Sequence, residues 1–169
     1  MITEPLRSLA VPIDGLNFDP ANARKHGNKN LDAIKSSLAK FGQRKPIVVQ
    51  REGMIVRAGN GTLAAAKALG WNEIAAVIID EDNATAAQFA IADNRTAELA
   101  EWDNETLALL LDGWDKETQE AVGFDEADIE QALEDLEPRE SSAKEIDVDG
   151  YVMACKCPKC GFEYDPPKV

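Results

Sequence analysis

The segment PIVVQREGMIVRAGNGTLAAAKALG, residues 46–70, constrains the fold more than any other. Two β-rich runs flank Arg51-Glu52-Gly53, the pattern of a hairpin. The second run enters Gly59-Asn60-Gly61 without a spacer, which demands a sharp turn. Leu63, Ala66, Lys67 and Leu69 then recur at helical intervals up to a capping Gly70. Upstream, Leu31, Ile34, Leu38 and Phe41 mark an amphipathic helix ended by Gly42. Downstream, Glu73 to Asp80 reads as a strand. Residues 11–30 are rich in Pro, Gly and Asn and read as loop, with one short strand near Val11 to Ile13. The order is strand, helix, hairpin, turn-helix, strand: an α+β fold with helices covering one mixed sheet.

After Asp80 the pattern turns helical. ATAAQFAIADNRTAELAEW predicts one long helix, with an interruption near Asn94 because Asn and Asp are weak inside helices. NETLALLLDGW predicts a second, capped by Asn104. DKETQEAVGF and DEADIEQALEDLE predict two more, each opened by an Asp at its N-cap. A linker starts at Glu137-Pro138-Arg139. The boundaries expected are residues 1–102, 103–137 and 138–169.

Charge divides along the same lines. Residues 1–80 carry 11 Lys and Arg against 7 Asp and Glu, a net of +4, whereas residues 81–149 carry 4 against 22, a net of −18. The acidic segment cannot neutralise DNA phosphates. Its apolar stripe of Leu107, Leu110, Leu111, Trp114, Phe124, Ile129 and Leu133 is expected to pack on the first domain or to mediate self-association, including a homodimer. DNA contact is expected from the basic loop Arg24 to Lys29 or from a partner. No run approaches the ~18 apolar residues of a membrane span, and the N-terminus lacks the order of a signal peptide, so a cytoplasmic, membrane-free location is expected.

Two places carry candidate chemistry. Gly59, Asn60, Gly61 and Thr62 leave a strand and open a helix, where backbone N–H groups and the dipole favour phosphate. The turn is neither a Walker loop nor a Rossmann fingerprint, and a ligand-free tight turn uses the same residues. Near the C-terminus, Cys155, Cys157 and Cys160 include a Cys-Pro-x-Cys-Gly knuckle suited to Zn²⁺. Its fourth ligand is open between water, His26, a carboxylate and a second chain, and three free thiols on a tail are the alternative.

Residues 5–102 resemble the ParB N-terminal domain of the ParB/sulfiredoxin superfamily. The likeness rests on a helix, a G-x-x-x-P-I-x-V segment, an A-G-x-G-x-x-A-A-x-x-L-G turn and an I-A-D-N-[KR] segment in that order, as in domains of phages and of DNA-modification methyltransferases. The resemblance implies that Gly42, Gln43, Arg44 and Pro46 surround a nucleoside triphosphate, CTP in the partitioning branch. It puts the phosphate box on Gly59 to Ala65. It also puts a magnesium and hydrolysis box loosely on Asp93, Asn94 and Arg95, with Asp93 and Asn94 as catalytic residues offering oxygens to Mg²⁺. Asp93-Asn94-Arg95 can equally interrupt or cap a helix.

Two arginines of the partitioning box are replaced by Gly61 and Thr62, which removes bidentate phosphate clamps. Arg44, Lys45, Arg57 and Arg95 remain as candidate cations. Sulfiredoxin activity needs a cysteine near Gly59, where none exists, and no carboxylate cluster with a lysine supports a nuclease. Two readings follow: a nucleotide-binding protein of phage or mobile-element origin, with weak CTPase-like activity, acting in DNA modification, partitioning or transcription control; or a non-catalytic adaptor docking on a DNA-modifying enzyme.

Overall fold

The computed structural model describes residues 1–134, 155–156, 158–161 and 163–164. The chain divides into two compact units, Met1–Glu137 and Pro138–Val169, each taken by itself below. Among the described residues, no helix is long and apolar enough to cross a membrane.

The first unit is built on a five-stranded mixed sheet in the order β1-β5-β3-β4-β2. Its strands are β1 (Ala10–Pro12), β2 (Asn17–Phe18), β3 (Ile47–Gln50), β4 (Ile55–Ala58) and β5 (Glu73–Ile79). β3 and β4 form the expected antiparallel hairpin around a 3₁₀ turn at Glu52–Met54, and β3 pairs in parallel with β5. The short parallel β2 and the 3₁₀ turn Glu4–Leu9 carried no sequence signal.

Helices α1 (Asn28–Phe41) and α2 (Asn60–Ala68) pack against each other beside this sheet. Strand alternation sends Ile47, Val49 and Val56 into one core with Leu38, Leu63, Ala65, Ala66 and Ile74. Ala65 and Ala66 of α2 are fully covered and let the helices approach closely. The same alternation sends Gln50 and Arg57 to the opposite face, toward α3 (Asn83–Glu98).

Several expectations are corrected. α3 runs through Asn94 without interruption, because the Asn94 side chain donates from Nδ2 to the Ala90 carbonyl at 2.7 Å instead of breaking the helix. It ends at Glu98, short of Trp102, and is capped at its start by Asp82, whose carboxylate accepts from the Ala84 and Thr85 N–H groups. The cap of α4 (Asn104–Asp112) is Asp103, not Asn104: Asp103 Oδ1 accepts from Thr106 N at 3.0 Å, and Asn104 is already helical.

Asp115 caps α5 (Lys116–Ala121) as expected. At the start of α6 (Glu126–Glu134), Asp125 and Asp128 cap each other reciprocally, each carboxylate accepting the other's N–H at 3.0 Å. α5 packs on α1 and α4 on α6. Leu111 is buried, whereas Leu110, Trp114 and Leu133 of the apolar stripe stay exposed.

In the second unit, β6 (Cys155–Lys156) pairs antiparallel with β7 (Glu163–Tyr164) across a turn at residues 158–160. Cys155 and Cys160 are free thiols, and Cys157 lies outside the described residues. Among the described residues, no group of three His, Cys, Asp or Glu side chains is placed to hold a metal.

Candidate nucleotide groove

A groove crosses the start of α2. Its centre is a cavity of about 220 Å³ lined by residues 57–62 and by Asn22, Arg24, His26 and Asn30. Ile34 and Thr62 also line a cavity of about 490 Å³ that reaches Phe41 to Lys45. Asn22, Arg24 and Asn94 also line a third, of about 420 Å³, between the 19–25 loop and α3. Segments separated in sequence thus meet on one surface: Gly42, Gln43 and Arg44 at one end, Gly59 to Thr62 in the middle, and Asn94 and Arg95 at the other. Asp93 lines none of the three.

The middle is preorganised for an anion. Gly59 takes φ +95° as the N-cap and no side chain caps the helix. The first helical bond is Leu63 N–H to the Gly59 carbonyl, so the N–H groups of Asn60, Gly61 and Thr62 start the helix without intrahelical partners.

The side chains around these N–H groups have duties of their own. A Cβ on Gly59 would lie 2.4 Å from Ile47 Cγ2, so this glycine serves packing against β3 rather than ligand access. Asn60 is a latch: Nδ2 donates to the Val56 carbonyl at 2.8 Å and Oδ1 accepts from Asp19 N at 3.2 Å. Gln43 is buried and bonds the Ala75 N–H and carbonyl through its side-chain amide. Gly42, at φ +69°, leaves no room for a Cβ beside the Met1 carbonyl oxygen at 2.6 Å.

Arg57 is not available as a phosphate cation. Only 6% exposed, it pairs through Nη1 with Asp19 Oδ2 at 2.9 Å and donates to Gln50 Oε1 and Asn83 Oδ1. Four of its five donors fix the 19–25 loop, β3 and α3 around one buried charge. Arg44 donates from Nε to the Phe41 carbonyl and lies over the Phe41 ring, while Arg95 sits 3.5 Å from Glu98. Asn94 Oδ1 accepts from Arg24 Nη1 at 3.1 Å. A metal needs oxygens that converge, and of Asp93 and Asn94 only Asn94 lines the groove.

The basic 24–29 loop is less open to DNA than its sequence suggests. Arg24 faces Glu98 at 3.4 Å, and Lys29 contacts Asp125 at 2.8 Å and Asp128 at 3.1 Å. The hydrogen bond that Lys29 donates to Asp125 raises the Lys29 pKa, and the same bond lowers Asp125 to about 2. Sequence reasoning missed that this loop is a groove wall, placing Arg24 and His26 above α2. The Asn and Pro residues around Asp19 signal a loop, not where it docks.

The ParB N-terminal domain family model matches residues 4–95, more than half the chain. This chain belongs to the ParB N-terminal domain family. A probable chromosome-partitioning protein ParB of Campylobacter jejuni is 34% identical over 91 residues, which are 52% of this chain and 33% of that protein. The chain therefore spans about a third of that relative's length. The ParB-like nuclease domain-containing protein YnaK of Escherichia coli is 26% identical over 78 residues, 46% of this chain and 88% of that protein. Among solved structures, the C-terminally truncated ParB of Caulobacter crescentus complexed with CTP-γ-S superposes with a TM-score of 0.63. It is 18% identical, with 73% of this chain and 75% of that one covered, which establishes a shared fold.

Proposed function

We propose that the groove binds a nucleoside triphosphate, with CTP the first candidate, and that the chain is a nucleotide-responsive ParB-like protein acting on DNA directly or through a partner. The observation that carries this reading is the uncapped start of α2 at the centre of a groove built from three separate segments. The CTP-γ-S complex of the fold neighbour supports the choice of ligand. Phosphates would lie against the N–H groups of Asn60, Gly61 and Thr62, with Arg44, Arg95 and Lys45 along the groove. Asn94 would exchange its Arg24 contact for a cation on the phosphates, and hydrolysis would be weak because Asp93 does not reach the groove.

Titrating labelled CTP, ATP and GTP, each with and without Mg²⁺, tests the reading. Saturable binding with a preference for one base supports it, and flat responses to all three overturn it. Flat responses would favour the adaptor, a reading that also draws on the occupied side chains of Arg57, Gln43 and Asn60 and on Asp125 and Asp128 at the start of α6, which neutralise Lys29.

Phage or mobile-element origin, a role in DNA modification and a homodimer belong to the same proposal. So does Zn²⁺ on Cys155, Cys157 and Cys160. Metal analysis of protein purified without chelator should find near one zinc per chain, and less than about a tenth of an equivalent would exclude a structural site.

A further inference from the structure

The groove lacks the arginines expected at positions 61 and 62, and the structure shows what stands there instead. A Cβ on Gly61 would lie 2.8 Å from Cε1 and 2.9 Å from Nδ1 of His26, so the imidazole occupies the space directly above this residue. Ile34 Cδ1, at 2.9 Å from the same point, closes the other side. The absence of a side chain at Gly61 thus lets a ring from the neighbouring loop rest on the first turn of α2. His26 Nδ1 is 2.7 Å from Asn30 Oδ1. An amide oxygen only accepts, so the proton is assigned to Nδ1 and Nε2 is left for a ligand.

The charge around the ring is also defined. From its own loop Arg24 lines the same cavity, from β4 Arg57; α1 contributes Asn30 and Ile34, α2 Asn60 to Thr62, and α3 Asn94. Among the described residues, no carboxylate lines this cavity. Arg57 is committed to Asp19, and Arg24 to Asn94 and Glu98. His26 is the side chain here that can gain positive charge without breaking an ion pair.

We propose that His26 is the phosphate-binding cation of the groove, supplied by the 19–27 loop in place of a side chain on α2. Protonated Nε2 and the free N–H groups of α2 would hold one anion from two sides. The inference rests on the nucleotide reading above and adds a specific residue and a protonation requirement to it.

His26 is the one histidine in the chain, so its ring signals can be followed by NMR without ambiguity. In the whole 169-residue chain, adding inorganic tripolyphosphate or CTP should raise the pH midpoint of the His26 ring. Both ligands should bind about tenfold more tightly at pH 6 than at pH 8, the range in which imidazole changes charge. His26→Gln should lose about tenfold in affinity at pH 6, the size expected of one charge-assisted hydrogen bond, with circular dichroism and melting unchanged. The variant's remaining pH dependence should be only that of the ligand phosphate itself. If the wild type binds CTP while the His26 midpoint stays put and His26→Gln binds equally well, the inference fails and the nucleotide reading stands. If the wild type binds neither ligand at either pH, both fail.

Discussion

The sheet body and the acidic helices of the first unit are held in opposite ways. In the body, polar side chains that tie elements together are buried: Arg57 and Asp19 pair at 6% and 4% side-chain exposure, and Gln43 and Gln50 are fully covered. In α5 and α6 the ties to α1 lie in water, with Lys29 70% exposed and its partner Asp125 51%. A buried charge without its partner is costly, whereas an exposed pair is screened and exchanges with solvent. The contrast assigns the groove's shape to the first set and leaves the second as an adjustable attachment.

The strongest way to break this contrast is Asp19→Ala, which strands the buried Arg57. A loss of about 3–5 kcal/mol is expected in chemical denaturation. A loss below about 1 kcal/mol would mean water reaches the site and the two regions do not differ. Next comes Gly59→Ala, where a side chain at φ +95° meets Ile47. Strain and overlap should together cost about 2–3 kcal/mol, and Ile47→Ala in the same chain should restore part of it. Gln43→Ala should cost about 1–3 kcal/mol because it leaves two backbone groups of Ala75 unsatisfied.

The smallest effects are expected at the acidic attachment. Lys29→Ala should leave the denaturation midpoint nearly unchanged while making the α1–α6 contact insensitive to salt, read from chemical shifts along α6. The Asp125 carboxyl should titrate near 2 in the wild type and move up toward the ordinary value of about 3.9 in this variant. Because the folded value lies below the unfolded one, this pair supports the fold above about pH 4 and its contribution disappears as pH falls toward 2. An Asp125 titration unchanged by Lys29→Ala would show that the pair does not hold the helix.

Turn chemistry explains what the sequence made legible. Gly42, Gly53, Gly59 and Gly70 all adopt positive φ, and each ends or turns an element at the place its neighbours suggested. The hairpin, α2 and β5 therefore followed from local pattern alone. Asn94 misled because its intrinsic helix preference is poor, yet a local bond to Ala90 and a distant one to Arg24 satisfy its amide. Arg57 misled in the other direction: nothing in a strand sequence distinguishes a cation facing a ligand from one facing Asp19, 38 residues away. The groove's central residues were visible as motifs, but its wall at Arg24 and His26 was not. That wall depends on where a loop with no periodicity lands.

Gln43 has a consequence in time as well as in stability. Its side-chain amide contributes both a donor and an acceptor to Ala75, at 2.8 and 2.7 Å, one step before the β3–β5 ladder begins at Ile47 and Ala76. Its own backbone N–H bonds the Met1 carbonyl, and its carbonyl accepts from Thr3. The Ala75 hydrogen therefore exchanges with solvent only when the 42–46 segment lets go of the sheet. Its exchange rate is a clock for the opening of one end of the groove. A ligand that closes that end would slow this single amide while leaving the hydrogens of α6 at their own pace.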